Sequence, residues 1–462
     1  MKISRKELCY LGIITYFSLL VLSLYYYKER TIFTDIAFHL YYLLKDGDYA
    51  IQNFRFVSFF TQSFPLLGQK LDLDLKLVMQ LYSAGFIVFY AAAFFLLNNL
   101  LRLKNYALCM LLFSTLMVTH TFYWMQSELP QGLSLMILYF GLIDYENKNN
   151  KIRDKSMWFV PIKAVVLFIL FFSHPLIIFP FLFAVAFFAI KEKPRESKYV
   201  REGLTFLTLY LLKAKFFKTA YDSQSVEGLS NFKSYFPNYI DLVSNQKFME
   251  YLISDYYLFL LGFVVAITYY IIKSRRIKLL ILSSSLFGYL LLVNVSYPEG
   301  AEQFYIENLY LPLSLFVIIP LVFDVLPNFK GRFVLPFLVT FMMLRVGHIA
   351  MEGKDYTQRL DYLAQILDET GSLNSTKLII PQCIEHKKSL WMTWATSYEF
   401  WLQSTLNSGE SRSLIITENP DDYSWTLPAN TKFITPWDTP EYETLPNRYF
   451  NFRDSTPYHI VK

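Results

Sequence analysis

Residues 31–76 read TIFTDIAFHLYYLLKDGDYAIQNFRFVSFFTQSFPLLGQKLDLDLK, and the stretch separates the first apolar span from the second. Asp35 falls about five residues past the end of the first span, near where hydrocarbon gives way to headgroups. His39 follows at i+4, so a helix here puts both side chains on one face. Arg55 comes later in the same loop, in FRFVSFF. A carboxylate, an imidazole and a guanidinium held at a membrane surface can act together on a phosphate-linked lipid.

The surrounding composition sets the frame. The chain has 462 residues, is 54% hydrophobic and 18% charged, and carries 44 Phe and 35 Tyr, the make-up of a polytopic membrane protein. Its formal charge of +5 is not gathered into a basic face, so no nucleic-acid partner is expected. Cys9, Cys109 and Cys383 form no C-x-x-C or Cys/His spacing, which argues against a structural zinc site and gives no disulfide framework. The start, MKISRKELCYLGIITYFSLLVLSLYYYKER, is basic and then apolar and lacks a small-x-small cleavage site; it reads as a retained signal anchor.

Apolar runs give about eleven candidate spans, centred near residues 18, 87, 113, 136, 166, 182, 207, 264, 286, 315 and 341. The charge of the links supports a cytoplasmic N-terminus. Links near residues 102, 150, 197, 275 and 330 are rich in Lys and Arg, whereas THTFYWMQSELPQG, SHP and YPEGAEQFYIEN contain neither. Two outer loops are long, at 28–76 and 213–254. From residue 352 the composition changes. KLIIP, SLIIT, KFIT and YFNF read as short strands, and residues 355–368 and 389–406 as helices, the second carrying Trp391, Trp394 and Trp401. The expected fold is mainly α, a polytopic membrane helix bundle over 1–351 with a small extracytoplasmic α/β domain over 352–462.

The candidate site residues carry two readings each. Thr34-Asp35 fits a helix N-cap, and Asp35 equally fits a general base at the outer leaflet. His39 fits an interfacial histidine, a phosphate donor or, with Asp35, part of a divalent-metal site. Glu128, in WMQSELPQG, fits a second carboxylate beside the first; with Ser127 it also fits an ordinary helix start. His174, in SHP, fits a phosphate contact or an interfacial position. Arg55, Lys213, Lys215 and Arg345 are outer-side cations; a guanidinium forks best onto phosphate, which favours Arg55, then Arg345. Glu299, Glu302 and Tyr305 lie in an aromatic, acidic segment suited to holding a sugar, and also to an interfacial belt. No signature of a serine hydrolase, a P-loop NTPase or a zinc protease occurs.

A cytoplasmic N-terminus, a long first outer loop with an acid just after the first span, a short second outer loop with another carboxylate, and a terminal outer domain resemble the GT-C superfamily of membrane glycosyltransferases. In that resemblance Asp35 matches the first acidic position and Glu128 the second. Many members have an acidic pair in the first loop, where Thr34-Asp35 offers one acid. The resemblance implies a polyprenyl-phosphate or diphosphate sugar donor, transfer of the sugar to an extracytoplasmic acceptor, and a place in the bacterial inner (plasma) membrane among membrane lipids. Competing readings are a lipid-linked glycan transporter or flippase, a glycan polymerase of another fold, and a non-enzymatic assembly protein.

The topology can be tested with a membrane-impermeant thiol reagent on intact cells, in a chain whose three native cysteines are replaced. Asn150→Cys, Ser197→Cys and Arg275→Cys should be shielded, while Ser225→Cys and Pro420→Cys should label. Labelling at 197 would overturn the span order.

Overall fold

The computed structural model describes residues 3–125, 128–148, 159–190, 197–217, 231–371, 377–426 and 430–461. The chain enters through α1 (Arg5–Tyr25), whose first turn is closed by a capping box. There the Glu7 amide donates to Ser4 Oγ at 3.1 Å and the Ser4 amide to Glu7 Oε2 at 2.7 Å. Its 21 residues rise about 31 Å, the thickness of a bilayer's hydrocarbon core. A single turn, α2 (Tyr27–Thr31), leads into the first loop. That loop folds as two helices, α3 (Thr34–Asp46) and α4 (Phe59–Lys70). Gly47, with φ +66°, ends α3 in the left-handed turn a helix C-terminus favours.

The helical part continues with α5 (Leu75–Phe95), α6 (Lys104–Phe113), α7 (Glu128–Lys148), α8 (Phe159–Phe171), α9 (Ile178–Ala189) and α10 (Lys198–Phe216). It closes with α11 (Val243–Ser254), α12 (Tyr257–Ile272), α13 (Arg276–Ser296), α14 (Gln303–Pro320) and α15 (Gly331–Gly371).

Five stretches are long and apolar enough to cross a membrane: Arg5–Tyr25, Leu75–Leu100, Arg276–Ser296, Gln303–Asn328 and Gly331–Gly371. Two pairs qualify only when joined across a break, α8 with α9 bent by 118° and α11 with α12 bent by 93°, which brings the number to seven at most. These apolar helices make the chain an integral membrane protein. The other expected spans coincide with helices that do not meet the measure alone. With 10 residues, α6 rises about 15 Å, half a bilayer core. Residues 128–143 of α7 are enclosed almost entirely by protein. Lys198, Arg201, Glu202, Lys213 and Lys215 make α10 too polar.

The span built on α14 is 89% buried, against 33–44% for the other four. It is the axis of the bundle, and the others form a rim whose exposed Ile14, Phe17, Leu280 and Phe287 suit a lipid surroundings. The two sets of links gather at opposite ends. At one end Lys104 donates to the Ile3 carbonyl at 3.2 Å, Lys163 pairs with Glu202 at 2.8 Å, and Lys278 pairs with buried Asp324. Much of the cationic charge expected there, on residues 149–158 and 191–196, lies outside the described residues, as do Ser127 and residues 218–230 of the second long loop. At the other end the first loop meets the C-terminal region.

That region hangs on α15, whose 41 residues rise about 62 Å, so residue 352 falls inside one uninterrupted helix. Beyond it come β1 (Lys377–Pro381), α16 (Ile384–Leu390), α17 (Thr396–Ser408), β2 (Ser413–Thr417) and β3 (His459–Ile460). The sheet is parallel in the order β2-β1-β3, with Ile379 opposite Ile415 and Ile460. KLIIP and SLIIT are strands as expected. KFIT makes only an isolated bridge, Lys432 to Glu441, and YFNF is irregular because its rings fill the core. Phe450 stacks on Trp401 at 4.4 Å, and Phe452 on Tyr442 at 4.5 Å. The helix expected over 389–406 is broken at Trp391, whose φ is +60°; Trp401 is core.

One buried ion pair joins the first loop, α15 and the C-terminal region. Glu399 of α17 is fully buried and accepts from Arg359 Nη2 at 2.7 Å on both oxygens. Its Oε1 also accepts from the Thr34 amide at 2.7 Å. Phe33 stands at the N-cap of α3 without a side-chain oxygen, so Glu399 supplies the missing cap from another segment. Arg359 donates in addition to the carbonyls of Leu390 and Ile32. Tyr41, two turns after Thr34, packs against Trp401 and Phe450 at 5.8 Å.

Removing one partner of such a pair strands the other charge, at a cost of about 3–5 kcal/mol. Glu399→Ala should therefore lower the Tm in detergent by several degrees, and Arg359→Met combined with Glu399→Leu should recover part of the loss. Identical melts for Glu399→Ala and the wild type would show that the pair does not hold these elements together.

Candidate active site

The end of the bundle where the first loop meets the C-terminal region is built from that loop upward. Asn53 and Phe54 adopt φ +49° and +58°. Asn tolerates that conformation, but for Phe it stores strain of about 1–3 kcal/mol. The kink throws Arg55 inward, where its Nη1 meets Glu128 Oε2 at 2.9 Å, both side chains only about a tenth exposed. Glu128 is the first residue of α7, where the helix dipole favours a negative charge. Ser58 Oγ stands 3.5 Å from the other oxygen, Glu128 Oε1.

Asp35 and His39 share the inner face of α3, as the i+4 spacing requires. Asp35 does not cap its helix; its Oδ2 accepts from the indole Nε1 of Trp124 at 3.0 Å. Burial raises its pKa from 3.8 to about 6; the Trp124 bond opposes this, the Glu128 charge adds to it, and the Arg55 charge lowers it. His39 Nδ1 lies 3.1 Å from the Ala50 carbonyl, which can only accept, so Nδ1 carries the hydrogen and Nε2 keeps its lone pair. Burial holds this imidazole below its usual pKa, and the charges acting on it are again Glu128 and Arg55. Asp35, His39, Arg55 and Glu128 thus form one electrostatic unit.

The remaining expected residues divide. His174 accepts the Leu176 amide on Nδ1 at 3.2 Å, and the charges that reach it are Arg55 and Lys213, which places it at the same end. Tyr305 joins through Trp124, with ring centres 5.6 Å apart, and its hydroxyl meets Tyr297 at 2.9 Å. Lys247 donates its ammonium to the Glu299 backbone carbonyl at 3.1 Å, and its charge acts on the Glu302 carboxylate. Arg345, expected as a second phosphate cation, is corrected: it is fully buried and donates to Thr115, Val118 and Asp255 carbonyls and to Thr119 Oγ1. Its donors are spent on the protein itself. Nor do Asp35 and His39 belong to a trio of metal-ligating side chains among the described residues.

Trp124 and Glu399 were not singled out from the sequence, and Glu307 was read only with Glu299 and Glu302 as part of the acidic, aromatic segment suited to a sugar. Glu307, on α14, accepts the amides of Thr119, His120 and Thr121 at 2.7–3.1 Å and so fixes the loop that carries Trp124. The one available signal was Trp124 itself, four residues before Glu128, since a buried indole N–H needs an acceptor. No protein-family model, curated protein or solved structure matches the chain.

The raised pKa carries a stability consequence. With the folded value near 6 and the ordinary value 3.8, Asp35 is neutral in the fold below pH 4 and costs stability progressively as pH rises through 6. Asp35→Asn, which can still accept from Trp124, should hold or raise the Tm at pH 7.5, with the advantage gone by pH 4. A melt several degrees below wild type at pH 7.5 would mean the carboxylate is a structural anchor.

Proposed function

We propose that this chain is a membrane glycosyltransferase of the GT-C kind, moving a sugar from a polyprenyl-phosphate or diphosphate donor to an extracytoplasmic acceptor. The observation that carries the reading is Asp35: a desolvated carboxylate at the bundle's outer end, beside a carboxylate–guanidinium pair. In this reading α6, α7 and α10 also cross the membrane, giving about eleven passages. The N-terminus is then cytoplasmic and the region after residue 352 lies outside.

The chemistry follows from charge. The acceptor oxygen attacks the anomeric carbon as the bond from that carbon to the phosphate oxygen breaks, and the phosphate leaves with the electron pair. Asp35 takes the proton of the acceptor hydroxyl, and its raised pKa makes it a better base than an ordinary carboxylate. Arg55 offers its guanidinium to the departing phosphate, sharing it with Glu128. His39 Nε2 and His174 lie at the edge of the same charge field. Tyr305, against Trp124, supplies an aromatic face for a sugar. Buried charges elsewhere in the bundle, such as Lys278 with Asp324, are bound into pairs, which favours anchoring over a transport path.

Asp35→Asn should insert normally and retain polyprenyl-phosphate binding while transfer falls by about 10²–10⁴-fold. In the wild type, kcat/KM should rise with pH and level off above about 6, since the base must be ionised. Arg55→Lys should lose less, keeping the charge without the fork. An Asp35→Asn strain with a normal glycan profile would sink the enzyme reading and promote the transporter and assembly readings.

A further inference from the structure

On the far side of Glu307 from Asp35, three side chains from two separate segments converge. Asp255 stands at the 93° break between α11 and α12. His348 and Glu352 lie one turn apart on the same face of α15. Their ligand atoms all fall within 4.8 Å of one another, and His348 Nε2 is 2.8 Å from Asp255 Oδ1.

We infer that Asp255, His348 and Glu352 form a binding site for a first-row divalent cation such as Zn²⁺ or Mn²⁺. A cation between the two carboxylates relieves their repulsion, and an imidazole nitrogen completes a mixed N/O set. In a tetrahedral site with bonds of about 2.0–2.2 Å, neighbouring ligand atoms sit about 3.3 Å apart. The His348–Asp255 gap of 2.8 Å therefore needs to open by only about half an ångström to admit an ion.

The ligands are also braced as metal ligands are. Asp255 Oδ2 accepts from Ser254 Oγ at 2.6 Å and Gln303 Nε2 at 2.8 Å, which turns Oδ1 toward the histidine. The Asp255 carbonyl is pinned by Arg345 Nη1 at 2.7 Å. His348 and Glu352 sit on a continuous helix that cannot splay them. Three protein ligands leave a coordination position open. The imidazole favours Zn²⁺ over Ca²⁺ and Mg²⁺, which prefer oxygen alone, and the two carboxylates suit Mn²⁺. An ion here clips the broken α11–α12 pair to α15. The inference is independent of the activity proposed above.

The full chain, purified in detergent and stripped with EDTA, should take up about one equivalent of Zn²⁺ by calorimetry and elemental analysis. Its Tm should rise on Zn²⁺ addition, with no competition from excess Mg²⁺ or Ca²⁺. His348→Gln, which can still hydrogen-bond Asp255, and Glu352→Gln should each bind at least about tenfold more weakly and lose the Tm response. Melts of both variants without metal establish that they are folded. Asp35→Asn should bind as wild type does. Absence of both Zn²⁺ and Mn²⁺ binding, undiminished binding in His348→Gln and Glu352→Gln, or loss of binding in Asp35→Asn would each overturn the site.

Discussion

The Glu399 carboxylate is the contact on which the junction of the first loop, α15 and the C-terminal region depends. It is fully buried, so its charge has to be answered by the protein, and Arg359 answers it with bonds of 2.7 Å to both oxygens. The third bond, from the Thr34 amide, turns an ion pair into a positioning device. It fixes the start of α3 at the one point where the local sequence has no cap, with Thr34 held at φ +33°, a costly angle for a β-branched residue. The next residue is Asp35. The back of α3 is meanwhile locked by Tyr41 among the aromatic side chains of the C-terminal region. The face that carries Asp35 and His39 and the anchored residues Thr34 and Tyr41 thus belong to one helix.

A second pair of buried charges solves a different problem. Between Phe113 and Trp124 the chain leaves the helix while still enclosed by protein, where its amides and carbonyls cannot reach water. Glu307 takes the amides of residues 119–121, and Arg345 takes the carbonyls of Thr115 and Val118. One anion satisfies the donors and one cation the acceptors. This explains why α6 ends after 10 residues although the apolar sequence runs on. It also explains why Arg345 is unavailable to a lipid phosphate. A cation at the end of a span reads as an outer-side group only if nothing inside needs it.

What was legible in the sequence was whatever repeats locally. The helical spacing put Asp35 and His39 on one face, the apolar runs located the five long spans, and KLIIP and SLIIT gave two of the strands. What was hidden depends on distant partners. Thr34 and Glu399 are 365 positions apart, and no period or motif links them. The break at Trp391 and the two-residue β3 likewise have no local signal, whereas the turn at SHP was legible as a link. Arg55 and Glu128 were both noticed as site residues, but their ion pair was not, because pairing across 73 positions is a property of the fold.

Charge is balanced differently at the two ends of the bundle. At the end that carries Lys104 and Lys163, Asp324 has both Lys278 and the Tyr270 hydroxyl, and Glu202 has Lys163 and the hydroxyl of Tyr139. Asp324 has its own cation, and Glu202, which shares Lys163 with Glu146, also has Arg201 at 3.7 Å. At the end that carries the first loop two carboxylates, Asp35 and Glu128, share the field of one guanidinium, and the direct bond goes to Glu128. Asp35 is left with a neutral indole donor, which orients it without neutralising it. A buried carboxylate so placed holds its negative charge weakly, which is why its pKa sits near 6. An anchor gains nothing from that imbalance, since a second cation or an amide would make the fold more stable. A group that must take up a proton near neutral pH needs it.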